Sequence, residues 1–335
     1  MQILELYSGI GGMHMAFKES CLPGHVKAAI EINPTANLIY QHNFPHTKLL
    51  NLNIEGLSVE FVNNLGVDTI LMSPPCQPFT RNGKKADIED ARTDSFQHVL
   101  SLLPHLQIEY ILIENVKGFE QSEMRNILIK TLSDNKFTYQ EFLLSPVQFG
   151  IPNSRLRYYC IARRLPYQFC FENDGQLRKT LPEVSKICQS EIVQIQDILD
   201  DDLDMTSYYL TDSILRKRLK ILDICFRNSR KSCCFTKAYG RFIEGTGSVF
   251  TNRLEEEVTP ILQKLYSMDC KSETYILLAR SLNLRFFTPK EISKLMCFPK
   301  TFSFPNDLTQ RQKYMVLGNS VNVRVVTELI KLFQA

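Results

Sequence analysis

No run of 18 or more apolar residues occurs in these 335 residues, which excludes a membrane-spanning helix. Metal-ligand spacing is missing as well. The ten cysteines are scattered, and apart from the adjacent Cys233-Cys234 none lie at the short intervals of a zinc site or a disulfide framework. Charge of one sign is also scarce: 39 Lys and Arg against 36 Asp and Glu leave a net charge of +3, too little to establish a nucleic-acid partner from composition. Any such surface must be local. No internal repeat, low-complexity tract or coiled-coil stripe stands out, so a monomer is expected. The strand-like opening Gln2-Ile3-Leu4-Glu5-Leu6-Tyr7 leaves no room for a signal peptide. With unpaired thiols, that points to the cytoplasm, or the nucleus.

What is present is a composition of 44% hydrophobic and 22% charged residues, enough for one large or two modest cores. From Met1 to Arg164 short apolar runs alternate with helical segments, the rhythm of βαβ units and a largely parallel α/β sheet. Expected strands are Ile3–Tyr7, Val26–Ile30, Thr69–Met72, Tyr110–Ile113, Glu141–Leu144 and Tyr158–Ala162. Residues 165–285 lose that rhythm and read as a smaller module. Residues 286–335 return to helical periodicity in Pro289–Met296 and Val321–Phe333.

The chemistry gathers at strand ends. Ser73-Pro74-Pro75-Cys76-Gln77-Pro78-Phe79 follows the apolar Thr69–Met72, and its prolines hold one thiol on a stiff loop where open α/β sheets bind ligands. A packed, inert thiol is the competing reading. Ile3–Tyr7 runs into Ser8-Gly9-Ile10-Gly11-Gly12, a turn that lets backbone approach a ligand but lacks the third offset glycine of a dinucleotide site. Glu31 ends the next strand, nineteen residues after Gly12, where a carboxylate can accept from both ribose hydroxyls. Together they indicate an adenosine cofactor. Glu114 emerges from Tyr110–Ile113 on the same sheet edge as Cys76. An acid raises the pKa of a neighbouring thiol, which argues against a Cys-His protease and for activation of a ring that takes up a proton as sulfur adds. A capping role, or pairing with Lys117, is the alternative. Alternation places Arg155 and Arg157 on one strand face, either as a solvated edge or as ligands for a base carbonyl and a phosphate.

In order, Ser8–Gly12, Glu31, Pro74-Pro75-Cys76-Gln77, Glu114-Asn115-Val116, Arg155-x-Arg157 and Gly318-Asn319-Ser320-Val321 resemble the motifs of the S-adenosylmethionine-dependent cytosine-C5 methyltransferases. The resemblance spans nearly the whole chain. It implies a Rossmann-like S-adenosylmethionine-dependent methyltransferase fold: a catalytic core over 1–164, an inserted target-recognition domain over 165–285, and a 286–335 segment that folds back beside the first strand. It implies that Tyr7, Ser8, Gly9, Ile10, Gly11, Gly12, Glu31, Ile32, Asn53, Ile54, Glu55, Ser73, Pro74, Asn319, Ser320 and Val321 hold the cofactor. By the same resemblance Cys76 adds to C6 of cytosine, Glu114 hydrogen-bonds N3 and the exocyclic amine, and Arg155 and Arg157 hold O2 and the sugar-phosphate. Thr80 to Asp94, with Lys84, Lys85 and Arg92, reads as a lid over the flipped nucleotide.

Cys234-Phe235-Thr236 resembles the signature tripeptide of the subgroup of this family that acts on transfer RNA. Its expected target is cytosine-38 in the anticodon loop of tRNA-Asp, an unpaired base that is easy to extrude. No regulatory domain is expected ahead of Met1. Lys217, Arg218, Lys220, Arg227, Arg230, Lys231, Lys237 and Arg241 are the candidate RNA contacts beside the tripeptide, although a charge run is usually a solvated face and Cys234 and Phe235 could simply pack the insert. The alternatives are a DNA cytosine-C5 methyltransferase, with DNA otherwise a weak secondary partner, and a catalytically weak nucleic-acid-binding scaffold. A flavin or nicotinamide oxidoreductase is a weaker third.

Overall fold

The computed structural model of the chain describes residues 1–75, 93–173, 175–182, 192–200 and 204–334. Seven strands, β1 (Gln2–Leu6), β2 (His25–Ile30), β3 (Lys48–Leu50), β4 (Thr69–Met72), β5 (Tyr110–Val116), β6 (Phe137–Leu144) and β7 (Arg157–Arg164), form one sheet in the order β3-β2-β1-β4-β5-β7-β6. Side-chain alternation divides each central strand between two apolar layers. Ile3, Leu71 and Leu112 enter one, while Leu4, Leu6, Ile70, Met72, Ile111 and Ile113 enter the other. Burial of each such side chain contributes about 1.5–3 kcal/mol.

Helices cover both faces. On the first lie α1 (Gly12–Ser20) and α2 (Pro34–Asn43), whose Met13, Ala16, Phe17, Ile39 and Tyr40 are buried there. On the second lie α3 (Val59–Asn64), α4 (Asp94–Leu102) and α5 (Glu123–Asp134), through Val62, Phe96, Val99, Leu128 and Leu132. The β1, β2, β3, β4 and β5 pairings are parallel, whereas β7 runs antiparallel between β5 and β6. The order reverses between β1 and β4, so the loops after these two strands diverge and leave a crevice at their C-terminal ends.

Strand limits differ from expectation where polar residues are paired. β6 begins at Phe137 rather than Glu141, because the buried Gln140 amide donates to the Gln176 carbonyl and the Glu141 carboxylate meets Arg125 and the Tyr158 hydroxyl. β5 continues through Glu114 to Val116, and β7 gains Arg157 and two terminal arginines. β3, only three residues long, gave no apolar pattern to read.

A third apolar cluster forms around α6 (Asp212–Arg218), α7 (Glu255–Ser267) and α8 (Glu273–Arg280), beside a small sheet of β8 (Ile224–Cys225), β9 (Val249–Phe250) and β10 (Arg285–Phe286). Phe235, Tyr239 and Phe250 from the same stretch instead join the first layer of the main core. At the exit of the stretch Arg285 forms a two-point ion pair with Glu291, at 2.7 and 2.8 Å, which also caps α9 (Pro289–Leu295) through Thr288. α10 (Gln310–Asn319) and α11 (Val323–Lys331) then bring the chain back: α11 packs on α1, and the Thr327 hydroxyl donates to the Ala16 carbonyl.

Candidate active site

The loop leaving β1 is shaped by backbone that most side chains resist. Tyr7, Gly9 and Gly11 all have positive φ, and a Cβ on Gly11 would lie 2.3 Å from the Phe44 ring. Gly12 opens α1 so close to the returning C-terminal segment that a Cβ there would lie 2.8 Å from Val321 Cγ2. Glu31, at the end of β2, organises the loop: its carboxylate accepts from the Gly9, Ile32 and Asn33 amides at 2.8 to 2.9 Å. Ser8 Oγ is buried with no hydrogen-bond partner among the described residues.

Ser8, Gly9, Gly12, Glu31 and Asn33 line one end of a cavity of about 400 Å³, together with Tyr7, Ile10, Ile32, Asn319, Ser320 and Val321. Ser73, Pro74, Pro75, Glu114, Val116, Arg155, Arg157 and Lys237 line the other. Cys76 follows Pro75 directly in the chain but lies outside the described residues, as do Lys84, Lys85 and Arg92. Of the expected lid, Thr93 and Asp94 are described, and they open α4. Asn115 Nδ2 donates to the Pro74 carbonyl at 3.4 Å, which fixes the loop that leads to Cys76.

Glu114 is buried, and desolvation pushes its carboxyl pKa up, against the opposing pull of Arg157, Arg155 and a Ser73 hydroxyl bond. Its nearest cationic atom is Arg157 Nε, 3.5 Å from Oε1. Burial thus biases the carboxyl toward its protonated form, the form that can donate to a ring nitrogen.

Several expected residues stand elsewhere. Arg155 precedes β7 instead of sharing a strand face with Arg157, and it is buried. Its guanidinium donates to the carbonyls of Phe235 and Gly318, each at 3.1 Å, and of Ser320. One guanidinium thus serves three backbone carbonyls, from positions 235, 318 and 320, that are far apart in the sequence. Asn53, Ile54 and Glu55 form a short 3-10 turn capped by Asn53 and lie outside the cavity lining, as does Gly11. Phe235 is 2% exposed and packs edge-on against Tyr239 and Phe287, so its ring cannot stack on a base. Thr236 lies against Gly318, where a Cβ would come within 2.1 Å of the Lys237 nitrogen. Cys234 Sγ faces the two arginines, at 3.5 Å from Arg155 and 3.7 Å from Arg157.

Among the basic candidates, Lys217, Arg218, Lys220, Arg230, Lys231, Lys237 and Arg241 are exposed, while Arg227 is half-buried and donates to Asn252. Lys220 donates to the Tyr266 carbonyl at 3.2 Å and Arg230 to that of Ile192, which leaves Lys237 as the one that reaches the cavity.

Sequence reasoning missed Glu5. It lines the cavity from the middle of β1, 1% exposed, accepting from the Tyr40 hydroxyl at 2.9 Å and the His14 amide at 3.3 Å. Burial pushes its pKa up to about 8. An acid inside the apolar run Ile3-Leu4-Glu5-Leu6 was the available signal.

The family model for C-5 cytosine-specific DNA methylases matches residues 1–335. The chain is 48% identical over 332 residues to a Spodoptera frugiperda protein named tRNA (cytosine(38)-C(5))-methyltransferase, covering 99% of this chain and 98% of that one. A human protein of the same name is 42% identical over 387 residues, at 99% and 98% coverage. The solved structure of a Spodoptera frugiperda DNMT2 mutant superposes with a TM-score of 0.90 at 46% identity, covering 100% of this chain and 99% of that chain.

Proposed function

This chain belongs to the C-5 cytosine-specific methylase family, and from that premise we propose that it methylates C5 of cytosine-38 in the anticodon loop of a tRNA, with tRNA-Asp the expected species. The observation that carries the chemistry is the single cavity. Its glycine-loop end joins, without a wall, the end where Pro75, Glu114 and Arg157 converge.

S-adenosylmethionine fits the first end. The Glu31 carboxylate has lone pairs left for ribose hydroxyls, the Ser8 hydroxyl wants a partner, and the bare Cα of Gly12 allows close backbone approach beside Ser320 and Val321. When bound, the cofactor supplies an electrophilic methyl group. Cys76 is the nucleophile: its sulfur bonds to C6 and the ring's double-bond electrons shift toward C5. The Glu114 carboxyl donates to N3, so negative charge does not accumulate on the ring. Arg157 and Lys237, which line that end, would meet O2 and the sugar-phosphate, while Arg155 lines it too with both terminal nitrogens engaged by backbone carbonyls. After C5 gains the methyl group it loses its proton, and the carbon–sulfur bond breaks to release Cys76.

The RNA reading rests on the full-length similarity to proteins named for tRNA, set against a family description that names DNA. Incubation of the chain with labelled methyl donor and either tRNA-Asp or duplex DNA, in the same salt, decides between them. Label at cytosine-38, read by bisulfite sequencing and abolished by Cys76→Ala, is the expected result. Robust DNA turnover with an unmodified tRNA overturns the RNA assignment, and full activity of Cys76→Ala overturns the covalent step. A scaffold without catalysis would form no trapped complex on a 5-fluorocytosine tRNA.

A further inference from the structure

The second end of the cavity holds more positive charge than the reaction requires. Arg155 is buried and Arg157 half-buried, and the charges of both act on Glu114. Two guanidiniums acting on one carboxylate pull it toward ionisation, in opposition to the burial that favours its protonated form. An ionised Glu114 has no proton to give.

The geometry contains a second candidate anion. Cys234 Sγ lies 3.5 Å from Arg155 Nη1 and 3.7 Å from Arg157 Nη2, bridging the two guanidiniums. Arg157 directs its remaining donors to this sulfur and to the Leu156 carbonyl at 2.8 Å. It meets Glu114 only through Nε at 3.5 Å. The carboxyl is therefore near the cations without being clamped by them. Among the described residues Tyr159 also faces the cluster, where burial holds its hydroxyl neutral, and Lys237 lines the same end of the cavity as a further cation, so neither supplies a compensating negative charge. We propose that Cys234 is a thiolate counter-ion to Arg155 and Arg157, a positioning residue that keeps the arginines in place and leaves Glu114 free to carry the proton used on the target ring.

Electrostatics agree in direction. Desolvation raises the Cys234 pKa, but Arg155 and Arg157 outweigh it and hold the thiol below its usual range. The sulfur also lies 3.7 Å from the Phe235 carbonyl, the acceptor that a neutral thiol would use, so the two states make opposite predictions. Cys234 thereby links the insert to the catalytic centre through charge.

The catalytic part of this inference rests on the function proposed above; the ionisation state does not. Site-resolved alkylation of the folded wild-type chain by iodoacetamide, followed by mass spectrometry from pH 5 to 10, reads it directly. Cys234 is expected to react with a midpoint at least about one unit below the ordinary thiol value of about 8.5. An ordinary midpoint, or one above it, overturns the counter-ion. Single-turnover methyl transfer against pH then tests the consequence. In Cys234→Ala the two arginines act on Glu114 alone, so the limb on which activity is lost as Glu114 deprotonates should move down by about one pH unit. The rate at pH 8 should fall about tenfold, and Cys234→Asp, which restores an anion, should recover both. A loss confined to tRNA affinity, with the pH limb unmoved, would make Cys234 an RNA contact and overturn the proposal. If Cys76→Ala stayed active while Cys234 titrated low, the covalent mechanism would fail and the counter-ion would stand.

Discussion

Glu5 and His14 should give folding stability two opposed pH slopes, one from each side of the same hydrogen-bond cluster. Burial, first, moves Glu5 from an ordinary 4.5 up to about 8, against the pull of the Tyr40 and His14 bonds. Burial, aided by Lys18, moves His14 from 6.5 down to about 3 while its Nδ1 shares a 2.8 Å bond with Tyr40. Between pH 4.5 and 8 folded Glu5 keeps a proton that the unfolded chain has released, so its contribution is complete below 4.5 and lost as pH rises toward 8. His14 has the reverse sign. Its contribution is complete above 6.5 and lost as pH falls toward 3. From 4.5 to 6.5 the two slopes cancel; above 6.5 only that of Glu5 remains. One pH unit corresponds to about 1.4 kcal/mol, so the roughly 1.5 units from 6.5 to 8 amount to about 2 kcal/mol. Urea unfolding of wild type and Glu5→Gln, in half-unit steps from pH 6 to 9, isolates this loss from every other titrating group. The wild type should lose about 2 kcal/mol relative to the variant between pH 6.5 and 8 and little more beyond. Parallel stability curves across that interval would refute the reasoning.

Arg155→Lys replaces two separated donor nitrogens with one, leaves at least one of the three carbonyls at the junction without a donor, and should lower unfolding stability by about 1–3 kcal/mol in thermal melts; an unchanged midpoint would remove Arg155 from its structural role. Gly318→Ala places a methyl group 2.1 Å from the Lys237 nitrogen, so hydrogen exchange should accelerate through residues 235–240, and native-like protection there would contradict the contact. Glu31→Gln should weaken S-adenosylmethionine binding about tenfold by calorimetry, because an amide accepts less strongly from hydroxyls and also loosens its hold on the Gly9 amide; undiminished affinity would take Glu31 out of the cofactor site.

Legibility in the sequence followed how local each residue's reason is. The glycine loop and Glu31 could be read because a sharp turn after a strand and an acid at the next strand's end are short-range requirements. Glu114 was visible as a carboxyl leaving an apolar strand, though the upward shift of its pKa depends on burial that no spacing reveals. Arg155 and Phe235 were misplaced for a shared cause. They are 80 positions apart and partner each other, so alternation along one strand could not show that the guanidinium faces a carbonyl from another module. Asn53, Ile54 and Glu55 entered through family resemblance alone, and a capped turn beside the pocket is what stands there. The β6 limit failed because Gln140 and Glu141 are satisfied by tertiary partners, which hides a strand behind polar letters.

The Arg155 junction also has a consequence for how the chain reaches its working form. Its three acceptors come from positions 235, 318 and 320, so the knot that closes the pocket joins segments more than 160 residues apart. Contacts of such separation form late, after local hairpins and helices have already collapsed. During synthesis the sheet can begin to assemble, yet the pocket stays open until α10 has emerged with its acceptor at Gly318 and α11 has docked on α1. A chain that stops short of Gly318 lacks two of the three acceptors of this junction, and its pocket cannot close.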